Sequence, residues 1–82
     1  MDKIEHIGIA VKDLETANET YTKLFGKAPY KKETVESEGV STSFFSIGES
    51  KIELLEATHA DSAIAKFIQK KGEGIHHIAY AV

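Results

Sequence analysis

The feature that most constrains this chain is a segment written twice. Residues 4–11 read IEHIGIAV and residues 75–82 read IHHIAYAV, and at an offset of 71 residues five of the eight positions are identical. The matched residues are Ile4 with Ile75, His6 with His77, Ile7 with Ile78, Ala10 with Ala81 and Val11 with Val82. Gly8 against Ala79 keeps small with small. Both copies are rich in β-branched and apolar residues and read as strands. Alternation along the first sends Ile7, Ile9 and Val11 to one face and His6, Gly8 and Ala10 to the other. The first face suits a covering helix, and the second leaves room beside an imidazole. The repeat predicts that residues 75–82 open a second unit of the kind that residues 4–11 open.

Size sets the next limit. Eighty-two residues make one small domain, and a chain this short buries only about 60–65% of the surface its unfolded form exposes. It has no cysteine, so a bound metal or a second chain is the natural source of added stability. Ten basic and thirteen acidic residues give a net charge of −3, with the signs mixed along the chain. That argues against a nucleic-acid surface. The start, MDKIEHIG, has no basic leader followed by an apolar stretch, and no segment nears the roughly 18 apolar residues of a membrane span. A soluble, cytoplasmic protein without nucleic-acid or membrane partners is expected.

Between the two copies the elements follow in order. Asp13 offers a cap to a helix over 14–25, with Leu14, Ala17, Tyr21, Leu24 and Phe25 at helical spacing and Gly26 as its left-handed stop. Residues 30–35 read as a polar edge strand, 36–39 as a turn, 40–47 as a third strand, and 51–56 as a fourth reached through Gly48, Glu49 and Ser50. Asp61 or Ser62 caps a second helix with Ala63, Ile64, Phe67 and Ile68 on one face, and Gly72 and Gly74 stop it. The order is βαβββ, then a helix, then the repeated strand. This divides the chain into residues 1–74, a first βαβββ module with its connecting helix, and residues 75–82, the first strand of an incomplete second module.

Chemistry points to three of these residues. A divalent ion needs ligands converging from different strands, and His6, Glu53 and His77 each sit on one. Two imidazoles and one carboxylate leave a coordination position open for substrate. Alternation places His76 on the face opposite His77, against a helix or solvent. His59 reads as a surface loop residue. KKGEG follows a helix and so lacks the helix N-terminus that cradles phosphate. Lys66, Lys70 and Lys71 read as a solvated helical face.

IEHIGIAVKDLETANETYTKLFG and, later, KIELLEATHADSAIAKFIQKKGEGIHHIAYAV resemble the vicinal oxygen chelate superfamily and, within it, the methylmalonyl-CoA epimerases. The specific tracts are IELLE, the DSxIAKFI helix and GEGIHHIA, in that order. The resemblance implies an α+β fold in which two βαβββ modules form a cupped sheet around a metal. It assigns metal-ligand roles to His6, Glu53 and His77 and implies cobalt, manganese, nickel or zinc as the ion. It also implies an acyl-CoA substrate, epimerised through a metal-stabilised enolate, and a homodimer. The superfamily's fourth ligand, a glutamate on the last strand of the second module, falls beyond Val82. Thr42 stands where some epimerases carry a glutamate proposed as an acid/base, so the catalytic residues stay unassigned. The chain is expected to bind a divalent ion weakly and to turn over little unless two copies assemble. Glutamate at position 53, where epimerases often have glutamine, suits the alternative of a glyoxalase I-like lactoylglutathione lyase. An iron(II) facial triad is disfavoured because its carboxylate normally comes last in the chain. A non-catalytic metal- or ligand-binding module is the remaining alternative.

Overall fold

Asp13 starts the first helix, because its side chain accepts a hydrogen bond from the backbone N–H of Thr16 and so satisfies one of the donors that a helix start leaves free. Gly26, at φ 73°, closes that helix in the left-handed conformation that a side chain would resist. The computed structural model describes residues 3–82. Its elements are β1 (Lys3–Ala10), α1 (Leu14–Phe25), β2 (Lys31–Val35), β3 (Val40–Ile47), β4 (Ser50–Ala57), α2 (Ala63–Lys71) and β5 (Gly74–Ala81), with one 3-10 turn at Glu36–Glu38. The cap of α2 is Ser62, whose side chain accepts from the N–H of Ala65.

The five strands form one sheet in the order β2-β3-β4-β1-β5, giving an α+β fold. β2 lies at an edge, as its polar character predicts. β1 runs parallel to β4 and antiparallel to β5. In the β1–β5 pair Ile7 faces Ile78, His6 faces Ala79 and Gly8 faces His77. Since 7 + 71 = 78, the repeated strand is paired with its own copy about a local two-fold at Ile7 and Ile78.

Each face of the sheet carries one helix. Val11, Phe45 and Leu54 are buried on the α1 side, with Ile9, Leu14, Ala17, Tyr21, Phe25 and Ile52 packed around them. On the other side Ala10, Val40, Leu55 and Ile64 are buried, with Phe67 and Ile68 of α2 against them. Strand alternation therefore places α2 on the same face as His6, near one end, and leaves the rest of that face open. Apolar burial on both faces, at about 25 cal/mol per Å², is what holds the central strands in register.

Candidate metal centre

Three neighbouring strands each bring one polar side chain to the open part of that face: His6 from β1, Glu53 from β4 and His77 from β5. The Nε2 atoms of His6 and His77 are 3.1 Å apart. Glu53 Oε1 lies 3.6 Å from the first and 3.4 Å from the second. The side chains are 25%, 15% and 36% exposed for His6, Glu53 and His77 respectively, which leaves them reachable from solvent while screening the carboxylate most. Two atoms bound at about 2.0–2.2 Å to one tetrahedral ion lie about 3.3–3.6 Å apart. The two edges to Glu53, 3.6 and 3.4 Å, have that size and the edge between the imidazoles, 3.1 Å, is slightly shorter; two nitrogens with one oxygen are a donor set for zinc, cobalt, nickel or manganese.

Gly8 makes the meeting possible. It sits between Glu53 and His77 across the sheet, and a Cβ built on it would lie 2.2 Å from His77 Cε1. The His77 ring fills the space that a side chain at position 8 would occupy.

The imidazoles are held from behind as well. His6 Nδ1 is 3.0 Å from Glu5 Oε1, and Lys51 Nζ donates to Glu5 Oε2 at 3.0 Å. The hydrogen bond from His6, and then that from Lys51, hold the Glu5 carboxyl below its ordinary range. Its hydrogen bond to Glu5 in turn raises Lys51. A carboxylate only accepts, so His6 donates from Nδ1, and in the neutral ring the lone pair is then on Nε2, which faces the other two ligands.

His76 departs from the sequence expectation. A β-bulge leaves it as an extra residue opposite Gly8 and Ile9, so its side chain lies beside that of His77, with the two Nδ1 atoms 2.9 Å apart. It does meet a helix: its ring packs edge-on against Phe67 of α2, centroids 4.9 Å apart. Glu5, Lys51 and His76 are the site residues that sequence reasoning missed. The repeat held a signal for two of them, since Glu5 and His76 occupy the same place in it. His59 is exposed and packs against Gly39, away from the three ligands. Thr42 is buried and its hydroxyl donates to the Glu33 carbonyl at 3.4 Å. Gly72 caps α2 through its N–H to the Ile68 carbonyl, a stop and not a phosphate cradle. No helix among the described residues is long and apolar enough to cross a membrane.

Residues 5–82 match the family model of the glyoxalase/bleomycin resistance protein/dioxygenase superfamily. An uncharacterised protein of Bacillus subtilis is 44% identical over 80 residues, which cover 98% of this chain and 57% of that protein. Human mitochondrial methylmalonyl-CoA epimerase is 39% identical over 83 residues, covering 100% of this chain and 47% of the enzyme. A variant of Streptomyces coelicolor methylmalonyl-CoA epimerase, solved in complex with 2-nitronate-propionyl-CoA, superposes with a TM-score of 0.87 at 40% identity over 93% of this chain and 57% of that one. The chain spans about half the length of the curated relatives it matches. On its matched family model and its shared fold, the chain belongs to the glyoxalase/bleomycin resistance protein/dioxygenase superfamily.

Proposed function

We propose that this chain carries the substrate-chelating part of a methylmalonyl-CoA epimerase site, with His6, Glu53 and His77 as ligands to one divalent ion. The observation that carries the reading is the convergence of His6 Nε2, His77 Nε2 and Glu53 Oε1 from three adjacent strands, in a chain with epimerases among its relatives. A divalent ion held by His6, Glu53 and His77 would supply positive charge for the negative charge that develops on substrate oxygens when the α-proton leaves. The chain's own part is positional. β4, β1 and β5 fix the three donors before substrate arrives, so little ordering remains to be done on binding. Phe44 pairs with Glu53 across the sheet and so shares its face. Proton transfer between two faces of a carbon needs two acid/base groups. Glu5 does not suit that work, engaged as it is by His6 and Lys51. Residues 75–82 open a second module in this reading, and a cytoplasmic homodimer that takes an acyl-CoA substrate is the form in which activity is expected.

The test is proton exchange at the α-carbon of methylmalonyl-CoA in deuterated water, followed by NMR with and without cobalt. Slow exchange that requires the ion and disappears in His77→Ala is expected. No exchange above that of cobalt alone would contradict the reading. The carboxylate at position 53 favours a second one, glyoxalase I-like isomerisation, and turnover of a glutathione hemithioacetal in place of exchange would select it.

A further inference from the structure

We propose that Glu5 and His76 are positioning residues, each holding the Nδ1 of the histidine that follows it so that both Nε2 atoms face Glu53. The inference rests on the reading of His6, Glu53 and His77 as a metal site. Along a regular strand, neighbouring side chains point to opposite faces, and a residue cannot hydrogen-bond the side chain of its follower. Here both pairs do. Between Ile4 and His6, β1 advances two residues while β5 advances one, from Tyr80 to Ala79, which leaves Glu5 unmatched. Between Gly8 and Ile9 the roles reverse: β5 advances two residues, from His77 to Ile75, and His76 is unmatched. Each unmatched residue sits at a bulge, a device that re-aims a side chain. Since 5 + 71 = 76, the bulges fall at the same place in the two copies of the repeat, so the irregularity is part of the repeated unit.

The two partners are chemically unequal. Glu5 Oε1, 3.0 Å from His6 Nδ1, can only accept, and Lys51 anchors the far oxygen at 3.0 Å. His6 is thereby fixed with its proton on Nδ1 and a lone pair on Nε2. His76 can accept or donate through its Nδ1, 2.9 Å from that of His77, and Phe67 holds its ring. With the lone pair of His6 on Nε2, the 3.1 Å contact requires His77 to donate from Nε2, and the 2.9 Å contact then has His76 Nδ1–H donating to His77 Nδ1. For His77 Nε2 to act as a ligand, its proton must sit on Nδ1 and be donated to His76 Nδ1, while His76 carries its own proton on Nε2. Each ring holds one proton in both states, so His77 changes tautomer with no net loss of a proton from the pair. His6 is the fixed donor and His77 the switchable one.

Zinc titration calorimetry and long-range ¹⁵N–¹H spectra of the imidazoles, both on the full chain, test this. Glu5→Ala should weaken zinc binding by about 10- to 100-fold, the range for outer-shell partners, and should release His6 from its Nδ1–H tautomer in the zinc-free chain. Glu5→Gln, which keeps an accepting oxygen, should recover much of the affinity. His76→Phe should weaken binding while leaving the His6 tautomer unchanged, and His76→Gln should rescue it. If the unaltered chain takes up zinc through His6 and His77 but Glu5→Ala and His76→Phe match it in affinity and tautomer, the positioning roles are overturned and the metal site stands. If the unaltered chain binds no zinc, the metal-site reading falls and takes this inference with it.

Discussion

At the scale of single residues, the centre depends on one missing side chain. The His77 ring occupies the volume over Gly8, where a Cβ would come within 2.2 Å of it. Gly8→Ala is expected to leave the fold intact, because the ring can swing outward, but to move His77 away from Glu53 and His6. Divalent-ion affinity should then fall by at least the roughly 10-fold that marks loss of an outer-shell partner. Calorimetric titration checks the loss, and an unchanged affinity would show that the close approach is unimportant. The three candidate ligands were legible in the sequence because a repeat singles out His6 and His77, and IELLE puts Glu53 on a strand. The small residues beside His6 were also legible as room for a ring. Glu5 and His76 were not, because strict alternation assigns each to the face opposite its neighbour and a bulge is invisible to that rule.

At the scale of elements, most boundaries follow from local chemistry. Asp13 and Gly26 bracket α1, and Ser62 and Gly72 bracket α2, so both helices could be placed from their ends. The face that α2 covers could not. Its stripe of Ala63, Ile64, Phe67 and Ile68 fits either side of a sheet, and the choice is made by Ala10, Val40 and Leu55, which present the matching surface. The energetics divide accordingly. Phe45 is fully buried under α1, touching the rings of Tyr21 and Phe25, so Phe45→Ala should cost about 3–5 kcal/mol. In a domain this small, a loss of that size shifts the urea midpoint far enough to leave the chain partly unfolded in water. Ser62→Ala removes only the α2 cap and should cost about 0.5–2 kcal/mol. A cost for Ser62→Ala equal to that for Phe45→Ala would show that α2 carries as much of the core as α1.

At the scale of the whole molecule, β5 differs from β1 in what covers it. Ile9 lies under α1, whereas its counterpart in the repeat, Tyr80, is 51% exposed. Ile75 and Ile78 are exposed beside it, and among the described residues the outer edge of β5 has no partner. An apolar strand at an open edge recruits another strand. The chain should therefore form dimers, and Ile78→Lys should weaken them. Light scattering that gives a monomer for the unaltered chain would count against this. The same sheet must be folded for its three donors to meet, because they lie 47 and 24 residues apart along the chain, from His6 to Glu53 and from Glu53 to His77. An ion that binds only the folded sheet stabilises it in proportion to the logarithm of its concentration. Titration of the full chain with cobalt(II), followed by its visible absorption, tests the central claim most directly. One equivalent should bind, and His6→Ala, Glu53→Ala and His77→Ala should each abolish the spectrum. A chain that binds no cobalt, or that binds it equally well after any of the three replacements, would contradict the account.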